Sequence, residues 1–155
     1  MDRSIICGVD GSADSQAALA VAGELAGRLR LRLIMVNVVE PSHAPYVEVA
    51  SLGGAMPRRQ LSTTEQQEEA ATRLLGELSA ATVGLEQAER RVVIGYPAER
   101  LADLADEEEA QMIVVGSRGR GAFKAAFLGS VSTTLIGVAR CPVLVVPPGA
   151  TCRPS

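Results

Sequence analysis

Aromatic side chains are scarce in this sequence of 155 residues, because Phe, Trp and Tyr together make up 3% and Trp is absent. The core must therefore be built from aliphatic residues, and the hydrophobic fraction of 47% is enough for one domain with a core. Cores of this kind are typical of parallel sheets covered by helices. We expect one domain at residues 1–148 and a C-terminal tail at 149–155.

An excess of positive charge is also missing, since 15 Lys and Arg stand against 18 Asp and Glu, for a formal net charge of −3. General binding of nucleic acid or of an acidic membrane surface needs a broad basic face, so we expect neither partner. No apolar run approaches the roughly 18 residues that span a bilayer. The first residues form neither a secretory signal nor a transit peptide, and we expect a cytoplasmic protein.

Cysteine and histidine are too few to indicate a metal centre or a disulfide framework. Cys7, Cys141 and Cys152 contain no Cys-x-x-Cys, which favours reduced structural thiols. The single histidine, His43, has no serine or cysteine arrangement around it that would make it the base of a catalytic triad. We predict no metal-binding residues and no catalytic residues.

The most informative stretch is MIVVGSRGRGAFKAAFLGSVS at residues 112–132, which joins a β-branched run to a loop and then to a helix start. Gly116, Gly119 and Gly129 are spaced Gly-x2-Gly-x9-Gly. Glycine permits positive φ and close approach of a ligand, so successive amides of this loop can hold phosphate oxygens. The alternative interpretation is a tight turn and a helix cap without a ligand.

The residues around these glycines also favour an anion. Ser130 and Ser132 can cap the helix and offer hydroxyls, and the helix N-terminus attracts negative charge. Arg118, Arg120 and Lys124 add positive charge to the loop. The stretch contains neither a P-loop motif nor a complete dinucleotide fingerprint. It therefore predicts a phosphate site of another kind.

The rest of the chain alternates strand and helix patterns, with Ser12 as an N-cap and Asp14 in the first turn of the first helix. This alternation predicts a single doubly wound α/β domain of about five mostly parallel strands in the order 3-2-1-4-5, with helices on both faces. A loop at 42–60 is long enough to suggest a lid, and Ser62 with Glu65 reads as a capping box. We expect strands at 5–9, 33–39, 91–94, 113–115 and 142–146.

Ligands of such sheets bind outside the carboxyl ends of the strands. Asp10 follows the first strand, Val38 lies near the end of the second and Gly116 follows the fourth, so three loops can converge on one ligand. From the residues alone, Val38 is equally well explained as a core valine. Asp10 has a turn-forming role as its alternative, although its position at a strand end favours the site.

GSRG, nine residues and then GSVS resemble the nucleotide loop of the ATP-binding branch of the universal stress proteins. GVDGS, MVNVVEP and CPVLVVP are also similar to the family, so the resemblance covers nearly the whole chain. It implies an adenine nucleotide alpha hydrolase-like fold and ATP as the ligand, with Mg²⁺ as a further candidate held through the phosphates. It implies that Asp10 meets the adenine or ribose side and that Val38 offers backbone groups to adenine. The residues implied to hold ribose and phosphates are Gly116, Arg118, Gly119, Gly129, Ser130, Val131 and Ser132.

Residues for rapid ATP hydrolysis are few, because a hydrolase needs a group that positions water and normally carboxylates for Mg²⁺. Asp10 and Glu40 are the candidates in the three site stretches. We therefore expect a regulatory nucleotide-binding protein with slow or no hydrolysis. The alternatives are a slow ATPase or adenylating enzyme, a cyclic AMP binder, and a dimeric interaction protein that binds no nucleotide.

The final apolar strand predicts self-association. Residues 142–147, PVLVVP, contain no charged side chain, and the wound topology places them at a sheet edge with free N–H and C=O groups. Pairing with the same strand of a second copy would cover this edge in a homodimer. The resembled family commonly forms dimers in this way. The alternative cover, within one chain, is a loop or the tail at residues 149–155.

Overall fold

The computed structural model describes residues 3–41, 64–120 and 128–152. Strands and helices alternate along these residues. The strands are β1 (Ser4–Gly8), β2 (Arg32–Val39), β3 (Glu89–Ile94), β4 (Met112–Gly116) and β5 (Val143–Val146). The helices are α1 (Ala13–Leu29), α2 (Thr64–Ala81), α3 (Pro97–Glu107) and α4 (Ser130–Val138). The predicted 42–60 lid, the Ser62 cap, His43 and Lys124 lie outside the described residues.

The strands form one parallel sheet in the order β3-β2-β1-β4-β5. This order, with helices on both faces, confirms the predicted doubly wound α/β domain. Strand β1 pairs with β2 on one side and with β4 on the other, so the winding reverses beside β1. A crevice opens at the carboxyl ends of the strands where such a reversal occurs. The fold therefore brings the ends of β1 and β4 together.

Alternation along the strands supplies a core to each face of the sheet. Ile5 and Cys7 of β1 pack with α1 and α2, whereas Ile6 packs with α3 and α4. Each aliphatic side chain buried here stabilises the fold by about 1.5–3 kcal/mol relative to its exposure. Burial also raises the pKa of Cys7 to about 12, so its thiol stays protonated at neutral pH. Cys7 is therefore a structural core residue, as the sequence predicts.

The first turns of α1 and α3 follow the predicted local chemistry, whereas the N-cap of α4 is Gly129 and not one of the predicted serines. Ser12 precedes α1, and its Oγ accepts a hydrogen bond from the Ser15 amide at 3.2 Å. Pro97 is the first residue of α3, where the missing N–H removes no helical hydrogen bond. Strand β3 begins two residues before the predicted start at Arg91. Within the described residues, no helix combines the length and apolar character needed to cross a membrane.

The amino edge of the sheet is linked by ion pairs. Arg32 at the start of β2 lies 3.1 Å from both Glu89 of β3 and Glu108 after α3. Arg91 lies 2.6 Å from Glu89 and 2.7 Å from Glu108. Hydrogen bonding from Arg91, assisted by Arg32, holds the pKa of Glu108 below its usual range despite some desolvation. These pairs are partly exposed, so each adds little stability alone.

Gly116 sets how closely the end of β4 approaches α1. A Cβ at this position would lie 2.6 Å from the carbonyl carbon of Asp14 and 2.8 Å from the amide nitrogen of Ser15. Both atoms belong to the α1 backbone, which cannot yield without moving the helix. The contact therefore requires glycine for space.

Gly116→Ala is expected to lower the free energy of unfolding by about 1–3 kcal/mol, because the added methyl overpacks this contact. Gly27→Ala in α1 is the matched control, since no atom of another described element lies within 4 Å of its Cβ position. The control is expected to raise the free energy of unfolding by about 0.5–1 kcal/mol through helix propensity. Urea unfolding measures both variants, and an unchanged midpoint and slope for Gly116→Ala would contradict the contact.

Candidate functional site

A cavity of about 570 Å³ opens at the carboxyl ends of β1, β2 and β4. Its wall comes from the segments that follow or end these strands and from the first turns of α3 and α4. The topology thus brings together three loops that are far apart in the sequence. All the predicted ligand-contacting residues line this wall, namely Asp10, Val38, Gly116, Arg118, Gly119, Gly129, Ser130, Val131 and Ser132.

One part of the wall is apolar. Val36 and Val38 reach it from β2, and Pro97 and Leu101 reach it from α3. Val38 is half-buried and also packs against the core on the α3–α4 face. It therefore fits both interpretations that the sequence leaves open, because it is a core residue and a cavity residue at once. An apolar wall with a few polar groups nearby is the usual make-up of a small-molecule site.

The amino end of α4 forms a polar part of the wall. Gly129 is the N-cap, and Ser130, Val131 and Ser132 are the first three helical residues. The first N–H groups of a helix have no acceptor within the helix, and together with the helix dipole they attract anions. The three amides are therefore available to an anionic ligand.

The hydroxyl groups of the two serines differ in their surroundings. Ser130 is exposed on the cavity wall. Ser132 is 2% exposed, and its Oγ lies 3.0 Å from the carbonyl oxygen of Gly129 and 3.2 Å from that of Ser117. A hydroxyl has a single proton, and the proton of Ser132 is shared between these two carbonyls. Ser132 can thus offer its amide to a ligand, while its hydroxyl supports the loop.

Gly116, Gly119 and Gly129 do not use the positive φ that glycine permits. Gly129 has φ of −74°. A Cβ at Gly119 would instead lie 2.8 Å from Oδ2 of Asp10, and one at Gly129 would lie 3.3 Å from Cα of Arg118. Close packing of the loop is therefore the reason for glycine at these positions. In the described part of the chain, the glycines with positive φ are Gly11, Gly84, Gly95 and Gly149.

Asp10 connects the end of β1 to this loop. Its Oδ1 accepts the Ser12 amide at 2.9 Å, and its Oδ2 accepts the Arg120 amide at 3.1 Å. Burial raises the pKa of Asp10, but hydrogen bonds involving Ser12, Ser15 and Arg120 outweigh it and hold the pKa below its usual range. Asp10 is therefore ionised at neutral pH, and it organises both its own turn and the loop after β4.

The sequence interpretation missed Asp14 as part of the site. Asp14 lies in the first turn of α1 and is 7% exposed. Its Oδ2 accepts the Ser117 hydroxyl at 2.8 Å, the Arg118 amide at 3.1 Å and the Arg118 Nε at 3.4 Å. Because these partners are more than 100 residues away, the local pattern indicated only a favourable charge at a helix start.

These contacts also change which amides can bind an anion. The amides of Arg118 and Arg120 donate to Asp14 and Asp10, and the Gly129 amide donates to the Ser117 carbonyl at 2.7 Å. These three amides of the described part of the loop are therefore used within the protein. The amides of the first turn of α4, which have no acceptor among the described residues, the terminal nitrogens of Arg118 and the side chain of Arg120 remain for a ligand.

The described side chains do not form a ready metal centre. No group of three or more His, Cys, Asp or Glu residues that could hold an ion occurs in residues 3–41, 64–120 and 128–152. Glu40 lies at the cavity wall but is exposed.

Comparison with known proteins agrees on one family. The model of the Universal stress protein family matches residues 1–147. A Thermus aquaticus relative, described as a universal stress protein in the QAH/OAS sulfhydrylase 3′ region, is 34% identical over 146 residues, which cover 94% of this chain and 99% of the relative. A Mycobacterium tuberculosis universal stress protein is 35% identical over 149 residues, which cover 93% of this chain. The chain spans about half of that longer relative, or 48%.

Solved structures share the fold. A universal stress protein in complex with cAMP has a TM-score of 0.68 at 24% identity, with coverage of 95% of this chain and 98% of that chain. The universal stress protein from Archaeoglobus fulgidus in complex with dAMP has a TM-score of 0.57 at 18% identity, with coverage of 94% and 98%. Since the family model and the Thermus aquaticus relative both match nearly the whole length, this chain belongs to the universal stress protein family.

Proposed function

We propose that this protein binds an adenine nucleotide, ATP above all, in the cavity at the carboxyl edge of the sheet. In this proposal it is a regulatory stress-response protein with slow or no hydrolysis. The observation that carries the proposal is the division of one cavity into an apolar wall and a polar wall. Val36, Val38 and Leu101 lie on the first, and Arg118 and the amino end of α4 lie on the second.

The apolar wall suits the base. An adenine ring is flat and largely apolar on its faces, and the valines of β2 and Leu101 of α3 offer it a surface of the same kind. The volume of about 570 Å³ lies within the usual range for small-molecule pockets. The cAMP and dAMP complexes of proteins with this fold supply further support, because both ligands contain adenine.

The polar wall suits the phosphates. The amides at the start of α4 and the dipole of that helix favour negative charge, and Arg118 and Arg120 add two cations. An arginine fork can contact two phosphate oxygens at once. Mg²⁺ would be held through the nucleotide phosphates, because both oxygens of Asp10 already accept amides and Glu40 is exposed.

The carboxylates at the cavity favour nucleotide binding over rapid hydrolysis of ATP. A phosphoryl-transfer enzyme must position a nucleophile and stabilise charge on the transferred group. The ionised Asp10 is engaged by the amides of Ser12 and Arg120. Among the described residues, Glu40 is the other carboxylate on the cavity wall. A slow ATPase or an adenylating enzyme would depend on Glu40 and on the nucleotide's own metal.

ATP is expected to raise the melting temperature, because a ligand that binds only the folded state stabilises it. At a hundredfold excess over the dissociation constant the gain is about 2.7 kcal/mol. Differential scanning fluorimetry with ATP and with cyclic AMP measures this effect. If only cyclic AMP raises the melting temperature, the ligand is the cyclic nucleotide and not ATP. If neither nucleotide raises it, the proposal is contradicted.

Two glycine variants show whether ATP acts at this cavity. A valine at Gly129 crowds Arg118 at the entrance to α4, so Gly129→Val is expected to lose the rise caused by ATP. Gly137→Val lies in the same helix with no atom within 4 Å of its Cβ position and is expected to keep it. An equal rise in both variants would place the ATP site elsewhere.

We also propose a homodimer formed through residues 142–147. Strand β5 is an edge of the sheet, and Leu144 within it is 37% exposed. The unpaired side of such a strand offers backbone donors and acceptors to a second chain, and pairing across a two-fold axis closes without growing into a fibre. Each nucleotide site would lie mainly within its own subunit.

Leu144→Lys is expected to convert the dimer to monomer, since each subunit would bring a charged side chain into an apolar interface. Leu144 suits this test better than Val145, which packs against the core on the α3–α4 face. Ile94→Lys at the opposite edge strand β3 is the matched control and should remain dimeric, because Ile94 is 46% exposed and outside the interface. Light scattering measures the mass of each variant in solution. A wild-type mass near the monomer value of 16.2 kDa would contradict the dimer.

A further inference from the structure

Asp14 is a buried charge that the proposed function does not itself use. Among residues 3–41, 64–120 and 128–152 it is the only charged residue that is buried, at 7% exposure. Burying an ionised carboxylate is costly unless it is paired and hydrogen-bonded. Its partners therefore indicate what the carboxylate does in the fold.

The partners of Asp14 are two consecutive residues of the loop after β4. The Ser117 hydroxyl and the Arg118 amide fix the backbone of this loop on the first turn of α1, at 2.8 and 3.1 Å from Oδ2. The third contact is to the side chain of Arg118, through Nε at 3.4 Å. All three donors contact the same carboxylate oxygen, so Asp14 holds both the backbone and the side chain of Arg118.

The contact at Nε determines which N–H donors of the Arg118 guanidinium stay available to a ligand. Arginine has five N–H donors in a rigid plane, and a contact at Nε leaves the four donors on the two terminal nitrogens. Arg118 lines the cavity, and its side chain is 31% exposed. Those four donors are the ones that can form a paired contact with phosphate oxygens.

We infer that Asp14 is a positioning residue for the phosphate end of the cavity. Its carboxylate holds Arg118 through Nε, so that the terminal nitrogens are directed at the ligand's phosphates, and it fixes Ser117 and Arg118 on α1. The inference rests on the proposed function and adds the residue through which Arg118 acts. Asp14 itself does not touch the ligand in this account.

A purely electrostatic role for Asp14 has the opposite sign. A negative charge close to the cavity repels phosphates, so its removal would tighten ATP binding. Loss of a positioning contact weakens ATP binding instead. Asp14→Asn distinguishes the two, since it keeps the shape and one oxygen acceptor for Ser117 and the Arg118 amide but removes the charge that holds Nε.

Calorimetry on the full chain compares ATP with adenosine, which lacks phosphates. Asp14→Asn is expected to lower ATP affinity about tenfold, as loss of one charge-assisted hydrogen bond does, and to leave adenosine affinity unchanged. Arg118→Gln is expected to lower ATP affinity as well, and Asp14→Asn added to it should cost little more, because both act through one group. Glu24→Gln removes an exposed charge from the same helix and is the control for net charge.

The outcomes separate this inference from the proposed function. A wild-type protein that binds neither ligand overturns both. If the wild-type protein binds ATP but Asp14→Asn binds it equally well or more tightly, or if the two substitutions add fully, the inference alone is overturned.

A measurement on the unliganded wild-type protein keeps the inference testable if Asp14→Asn does not fold. The Arg118 Nε–H signal in the NMR spectrum should exchange with water more slowly than that of Arg120, whose side chain is exposed. Equal exchange rates for the two arginines would contradict the contact with Asp14.

Discussion

The structure depends on the attachment of the β4–α4 loop to the start of α1 by two carboxylates. Asp10 accepts the amide of Arg120 on one side of the turn, and Asp14 accepts the amide of Arg118 on the other. Charge-assisted hydrogen bonds of this kind are stronger than neutral ones. The winding of the sheet reverses beside β1, and this attachment fixes the loop that lines the cavity opening there.

The glycines of the loop serve the same attachment. Gly116 lets β4 reach the α1 backbone, and Gly119 leaves room for the Asp10 carboxylate. The carboxylates of Asp10 and Asp14 therefore already place negative charge next to the loop after β4. A phosphate must be attracted by other groups, which are the amino end of α4 and the side chains of Arg118 and Arg120. This end of the cavity thus has two carboxylates that fix the loop, together with cations and amides that remain for a ligand.

The fold could be predicted from the sequence because it follows from local patterns and a handedness rule. Alternating strand and helix segments indicated the parallel sheet, and strand ends such as Asp10, Val38 and Gly116 indicated its ligand edge. The predicted residues do line one cavity. The hydrogen bonds of Asp14 could not be predicted, because its partners lie more than 100 residues away. The close contacts of Gly116 and Gly119 could not be predicted for the same reason, since Asp14 and Asp10 are distant in sequence.

The central claim is that an adenine nucleotide occupies the cavity with its base at the apolar wall and its phosphates at α4. Amide chemical-shift mapping during titration with ATP tests it most directly. The account predicts shifts at Val38 near the base and at Ser130 and Val131 near the phosphates, with the amino edge around Arg32 unchanged. Shifts that spare the start of α4, or that concentrate around Arg32 at the opposite edge, would contradict it.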